Sequence, residues 1–310
     1  MKRIRFYIVD VFASNKYEGN QLAVFIDLDD ALSDEQMQRM ATEINFAETT
    51  FIKSNRNNQQ FGVRIFTPEH EVPFAGHPSI GTSYVIANCL LPELGISNVP
   101  GKLVLELAHG NIAITILQPD IPLESVFFMR QVQPEFREFF THEAVSEELG
   151  IPFDQLDTSL PVQEISTGLP YIIIPLKNLA SMNSLFLQYD SFRDFLLTRK
   201  KYRTNSLSGH STSLFFFTSE TYESASSYNT RMRLLENGRL SEDAATGSAN
   251  GCFLAYLLRH LGGPVDLTVE QGFQINRKSY IYLTGRAEAE NYEINVGGRT
   301  QLVSEGTWFV

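Results

Sequence analysis

The sequence predicts an α+β protein of two pseudo-symmetric lobes, each a curled, mainly antiparallel β-barrel around a central α-helix. Three observations carry that prediction. Most segments cluster β-branched and aromatic residues between Gly, Asn and Pro breaks, helical patterns are few, and a short stretch in the first half is echoed in the second. With 310 residues, 43% of them hydrophobic, the chain has apolar material for two domains of about 100–200 residues each.

The strands of the first half are expected at Arg5 to Val9, Leu22 to Ile26, Thr49 to Ile52, Phe61 to Phe66, Leu103 to Leu107 and Ile112 to Leu117. Ala108-His109-Gly110-Asn111 between the last two is a hairpin turn signal. A second set falls at Ser125 to Met129, Tyr171 to Ile174, Ser213 to Phe217, Thr230 to Leu234, Val265 to Val269, Ser279 to Leu283 and Glu293 to Val296. Ser33 with Gln36 forms a capping box opening a helix through about Ile44. Thr141 to Leu149, stopped by Gly150, and Ser191 to Lys200 read as two further, structural helices.

The echo aligns His77-Pro78-Ser79-Ile80-Gly81-Thr82-Ser83 with Asp243-Ala244-Ala245-Thr246-Gly247-Ser248-Ala249, an offset of 166 residues (77 to 243). In each copy a small-residue turn leads into an apolar helix, Tyr84 to Leu91 and Phe253 to Leu258, and such helices are buried. Upstream, Arg64-Ile65-Phe66 resembles Arg231-Met232-Arg233, one residue out of step. No low-complexity linker occurs, so the join is tight and best placed at Gln118 to Pro122. The expected lobes are residues 1–118 plus about 285–310, and residues 119–284, with a cleft between them.

A net charge of −11 and a pI near 5.1 argue against nucleic acid or anionic lipid as partners, which are gripped by clustered Lys and Arg. The basic run Arg199-Lys200-Lys201 with Arg203 reads as a solvated helix end. The Met1-Lys2-Arg3-Ile4-Arg5 start fails as a signal peptide because Asp10 interrupts the apolar stretch after it. No run approaches the ~20 apolar residues that span a bilayer. Cys89 and Cys252 fit no metal or redox spacing, which points to a reduced, cytoplasmic setting.

Two duplicated helix N-termini facing one cleft would offer free N–H groups and positive dipole ends to a carboxylate or a developing oxyanion. Gly76, Gly81 and Gly247 would admit substrate to the backbone, with the Thr82 and Ser248 hydroxyls at matched positions. Asp243 alone would pass for an ordinary cap. His77, in Phe74-Ala75-Gly76-His77-Pro78, is not a preferred cap residue, and near a helix start it is expected to stay neutral. Glu48 sits at an element junction between Phe46 and Phe51, surroundings that raise a carboxyl pKa and suit it to take and return a proton. His70, Glu69 and Glu71 beside His77 match no common zinc spacing, so no metal is expected.

These residues, taken together, resemble the phenazine-biosynthesis isomerase family, which shares the fold of diaminopimelate epimerase. The likeness includes Val9-Asp10-Val11-Phe12-Ala13, Gly19-Asn20-Gln21-Leu22-Ala23-Val24-Phe25, Gln36 to Arg39, Asn45 to Phe51, Arg64-Ile65-Phe66-Thr67-Pro68, Pro73 to Pro78 and Glu242 to Ala249. The resemblance implies a homodimer of two-lobed subunits. It also implies that Glu48 shuttles a proton, as in the isomerisation of trans-2,3-dihydro-3-hydroxyanthranilate, that His77 and Asp243 assist, and that Asn20, Gly76, Gly247 and Ser248 line the substrate site. The distant epimerases carry a cysteine on each matching loop. His77 and Asp243 stand there in this chain, so racemisation by paired thiols is excluded. Ala244 replaces the proline often found after the second-loop aspartate.

The expected activity is a cofactor-independent proton shift on a small carboxylate-bearing substrate, since no Gly-x-Gly-x-x-Gly run and no P-loop occur. An epimerase or racemase on another small acid, and a non-catalytic small-molecule-binding homologue, are the rival readings. Specificity is expected in the loop Tyr202 to Thr212.

Overall fold

The computed structural model describes residues 2–119, 121, 124–204, 211–236 and 238–310. Asp120 and Pro122 of the expected join, and residues 205–210 of the expected specificity loop, lie outside the described residues. In chain order the first elements are β1 (Arg3–Val11), β2 (Asn20–Ile26), α1 (Asp34–Ile44), β3 (Glu48–Asn55), β4 (Gln60–Phe66), β5 (Glu71–Val72), α2 (Gly76–Val85) and, through a π-helical turn at Ile86–Leu90, α3 (Leu91–Glu93). Next come β6 (Lys102–Leu107), β7 (Gly110–Leu117), β8 (Val126–Arg130), β9 (Glu135–Phe140), α4 (His142–Leu149), β10 (Val162–Ser166), β11 (Pro170–Pro175), α5 (Leu179–Ser184), α6 (Tyr189–Thr198), β12 (Ser213–Thr218), β13 (Tyr228–Glu236) and β14 (Arg239–Asp243). The chain continues through α7 (Gly247–His260), β15 (Val265–Gln271), β16 (Ser279–Glu288), β17 (Asn291–Gly298) and β18 (Thr300–Phe309).

Two compact units result, Met1–Arg130 with Gly297–Val310 and Gln131–Val296. The first boundary lies beyond Gln118 because β8 pairs antiparallel with β7, Leu117 facing Val126, and stays with the first unit. The second lies beyond residue 285, just before β18, which pairs antiparallel with β1 from Arg3 opposite Phe309 to Val11 opposite Thr300.

The first unit is antiparallel except where β2 runs parallel to β3 and β4 parallel to β6. The parallel β2–β3 pair is spanned by α1, capped by Ser33: the hydroxyl accepts from Gln36 N–H while the Gln36 side chain accepts from Ser33 N–H. Asn45 ends α1 in the left-handed conformation (φ 56°), and Glu48 opens β3 three residues later. All ten residues of α2 are buried, and the helix touches β1, β2, β3, β6, β7, β8 and β18. A helix enclosed by strands on every side needs no amphipathic pattern, which is why its sequence shows none.

The second unit repeats this plan. β11 runs parallel to β12, β13 parallel to β15, and the remaining pairings given by β9, β10, β12, β13, β14, β15 and β16 are antiparallel. The enclosed helix is α7, buried from Gly247 to Leu258, and the parallel β11–β12 pair is spanned by α5 and α6. Arg199 and Lys201, expected to be solvated, are instead ion-paired: Arg199 forks the Glu148 carboxylate of α4 and lies over the Phe195 ring at 3.9 Å, and Lys201 meets Glu138 and Glu164. A short basic run flanked by carboxylates on neighbouring elements buries its stems and pairs its heads.

The duplication is real in topology, but its register differs from the expected one. Both enclosed helices begin at glycine, Gly76 and Gly247, so the offset is 171 residues (76 to 247) rather than 166. In each unit a strand ends three residues before that glycine plus one, at Val72 and Asp243, leaving the matching loops Pro73-Phe74-Ala75 and Ala244-Ala245-Thr246. An arginine fork marks both copies. Arg64 Nε and Nη2 donate to Glu71 at 2.7 and 2.6 Å, and Arg231 Nε and Nη2 donate to Glu242 at 2.8 and 2.6 Å. Each arginine lies two residues before the strand partner of its glutamate, Phe66 and Arg233. The β13–β14 pairing continues three steps farther than β4–β5, which shifts the register between strand and helix.

Candidate active site

In the first unit, Glu48, Asn20 and His77 are brought together. Asn20 opens β2, Glu48 opens β3 beside Leu22, and His77 is the second residue of α2. Glu48 Oε2 lies 3.5 Å from His77 Nε2, and Asn20 Nδ2 lies 3.4 Å from His77 Nδ1. The imidazole is buried and the carboxylate is a fifth exposed (21%), so this acid group alone of the pair reaches the surface. Burial pushes the His77 pKa down to about 3, against a weaker upward effect of a hydrogen bond to the Gln21 backbone. The ring is therefore neutral throughout the physiological range. Desolvation, more than the helix terminus invoked from sequence, is the cause.

The N-terminus of α2 is bare. Its cap residue is Ala75, which has no side-chain oxygen to offer, and Ser79 N–H is the first to turn back, to Ala75 C=O at 3.4 Å. The amides of Gly76 and His77 thus precede the helical ladder at its positive end. Of the groups named from sequence, Gly81 and Thr82 do not belong here. A Cβ on Gly81 would lie 2.6 Å from both Leu22 Cδ2 and Val11 Cγ2, so this glycine seats α2 against β1 and β2. Thr82 Oγ1 is bonded to Thr50 Oγ1 of β3 at 2.8 Å, one and a half turns down the helix.

In the second unit, Asp243 ends β14 and Gly247 and Ser248 open α7. In the 171-residue register, Gly247 matches Gly76 and Ser248 matches His77, while Asp243 matches Val72 and has no acidic counterpart. Ser248 Oγ is 2.7 Å from the Tyr171 hydroxyl at the start of β11, both groups buried. Asp243 Oδ2 accepts from Thr246 Oγ1 at 2.6 Å. Beneath the loop, buried Gln271 donates to the Asp243 C=O at 3.1 Å and to Thr246 Oγ1 at 3.0 Å. Its carbonyl accepts from Thr246 N–H at 3.3 Å and from Asn250 Nδ2 at 2.9 Å. Gly272 follows at φ 74°, where a Cβ would meet Ala244 O at 2.6 Å.

Tyr171, Thr246 and Gln271 escaped the sequence reading. Thr246 lies in the small-residue run Asp243 to Ala249 without a feature of its own, and Gln271 is one polar residue at a strand end with nothing local to mark it. Glu71 is held by Arg64, and His70 ends a turn in which the Thr67 hydroxyl accepts from the amides of Glu69 and His70. Among the described residues no group of three His, Cys, Asp or Glu could hold a metal ion, and no helix is long and apolar enough to cross a membrane. Burial pushes the thiols of Cys89 and Cys252 up to about 11 and about 12, so neither is a thiolate near neutral pH.

Residues 9–306 match the family described as phenazine biosynthesis-like protein (PhzC-PhzF). The trans-2,3-dihydro-3-hydroxyanthranilate isomerase of Pseudomonas aeruginosa is 30% identical over 305 residues, covering 97% of this chain and 98% of that protein. Among solved structures, the Bacillus anthracis phenazine biosynthesis protein of the PhzF family superimposes with a TM-score of 0.85 at 27% identity, covering all of both chains. A hydroxyproline epimerase from Agrobacterium vitis gives a TM-score of 0.59 at 12% identity, covering 98% of this chain and 92% of that one, a likeness of fold alone.

Proposed function

Because the chain belongs to the phenazine biosynthesis-like (PhzC-PhzF) family and is an isomerase, we propose that it moves a proton on a small carboxylate-bearing substrate, with trans-2,3-dihydro-3-hydroxyanthranilate the first candidate. The observation that supports this most is the 3.5 Å approach of Glu48 Oε2 to a neutral imidazole at a helix terminus without a side-chain cap. Glu48 takes the proton from carbon and returns it to another position. His77, uncharged, donates or accepts a hydrogen bond as the Glu48 carboxyl changes state, and the amides of Gly76 and His77 stabilise negative charge developing on the substrate. Asp243 serves as a second acid/base group, and Asn20, Gly247 and Ser248 contact substrate. The reaction needs no cofactor in this reading, since a glutamate whose proton is exchanged and returned leaves the electron count of the substrate unchanged.

The decisive experiment is Glu48→Gln assayed with trans-2,3-dihydro-3-hydroxyanthranilate in deuterated water. Turnover and deuterium incorporation are expected to fall by about 10²–10⁴-fold, while calorimetry still detects binding. A variant that keeps native turnover removes Glu48 from the mechanism. Deuterium uptake at one stereocentre without migration of the double bond would favour epimerisation instead.

A further inference from the structure

We infer that Gln271 and Thr246 are positioning residues that lock Asp243 Oδ2 as a hydrogen-bond acceptor. The inference rests on the role proposed for Asp243. Each hydroxyl has one proton and each primary amide has two donors on one atom and an acceptor on the other. The orientation of the Gln271 amide is pinned by two backbone groups that cannot exchange roles. Its nitrogen faces the Asp243 C=O at 3.1 Å and its oxygen faces the Thr246 N–H at 3.3 Å. Turning the amide over would set oxygen against carbonyl and nitrogen against N–H. Asn250 reinforces the choice, because its Nδ2 donates both to the Thr246 C=O at 3.0 Å and to Gln271 Oε1 at 2.9 Å.

With that orientation fixed, Gln271 donates its second N–H to Thr246 Oγ1 at 3.0 Å. The Thr246 hydroxyl then receives a proton on one side and has its single proton left for the other side, where Asp243 Oδ2 lies at 2.6 Å. The direction of the chain is set: Gln271 to Thr246 to Asp243. A donor held permanently against Oδ2 leaves that oxygen only the accepting role and restricts rotation of the carboxyl group. Gln271 and Thr246 are buried, so water does not compete for these bonds. Gly272, which admits the loop at Ala244 O, is the backbone support of the same arrangement.

Two readouts test this on the full chain, Thr246→Val, Thr246→Ser, Gln271→Met and Asp243→Asn being compared with the native protein. The first is the Asp243 carboxylate stretch, isolated by infrared difference between native protein and Asp243→Asn with ¹³C-aspartate labelling, and it needs no substrate. Thr246→Val and Gln271→Met are expected to shift this band and Thr246→Ser to restore it. The second is turnover of trans-2,3-dihydro-3-hydroxyanthranilate. Here kcat is expected to drop about 10- to 100-fold in Thr246→Val and Gln271→Met with KM within about 3-fold, and Thr246→Ser to recover most of the loss. An unshifted band in Thr246→Val overturns the assignment, as does a shifted band with native kcat when Asp243→Asn is itself impaired. Native kcat in Asp243→Asn sinks the catalytic role proposed for Asp243 instead, and the infrared band then still decides whether Thr246 donates to it.

Discussion

His77 carries a cost that its neighbours must offset. Burial in the neutral form lowers its pKa from the ordinary 6.5 to about 3. Between those two values the unfolded chain binds a proton that the folded chain refuses. Stability therefore stands in full above about pH 6.5 and declines by roughly 1.4 kcal/mol per pH unit as the pH falls toward 3. Urea unfolding of native protein and His77→Gln at several pH values in that window is expected to show a shallower decline in the variant. The same property means that catalysis should not switch off with an ordinary histidine titration. At this scale the sequence singles out Glu48 at its element junction and His77 by its unsuitability as a cap, and the structure brings the two side chains to 3.5 Å. Asn20 gained its place through resemblance, and its contact with the ring is a spatial fact that no local pattern contains. Gln271 lies 28 residues from the aspartate whose carbonyl it holds, and such a partner becomes visible when the strands are set in register.

Among the elements, the duplicated arginine fork offers a controlled comparison. The bonds are alike in the two copies, but Arg231 and Glu242 are 8% and 7% exposed whereas Arg64 and Glu71 are 28% and 35% exposed. Arg231 also donates to the Met182 C=O at 2.8 Å, and Arg233 shares Glu242. Removing the carboxylate from the buried copy leaves two arginines without their counterion. Glu242→Ala is accordingly expected to cost about 3–5 kcal/mol, and Glu71→Ala at most about 1 kcal/mol, both read from urea midpoints. Every expected strand is present, because clusters of β-branched and aromatic residues between turn residues are written locally, whereas β5, β9, β10, β14 and β18 were not expected. The start of each enclosed helix was harder to read. Glycine and serine are poor helix formers, so Gly76 to Ser83 reads as a turn, yet burial on all sides makes that stretch helical. The mistaken start carried the register with it. Aligning His77 with Asp243 satisfied a pattern of small residues, whereas the strand ends and helix starts align His77 with Ser248.

Across the whole molecule, the first unit borrows its last strand from the far end of the sequence. β18 pairs with β1, and Trp308 packs edge-on against Phe6 and Phe25 at 5.8 and 5.6 Å in the core that also holds α1. A chain ending at Val296 is expected to lose the folded signature of this unit, its protected amides on β1 and β2 exchanging freely. Retained protection there by hydrogen exchange would show that β18 is dispensable. The two-lobed α+β class was legible because duplication leaves a trace in sequence. The boundaries were less so, since whether β8 and β17 belong to one unit or the other depends on pairing partners rather than on composition.

That borrowed strand also sets an order in time. A chain made from its amino end can pair β1 with β2 early, but the other side of β1 cannot acquire its partner until Thr300–Phe309 has been synthesised, roughly 15–60 s later at ordinary elongation rates. Residues 131–296 have all of their own strands before then. The second unit in sequence is thus the first able to finish folding, and throughout synthesis the open side of β1 is the surface a nascent-chain chaperone would have to shield.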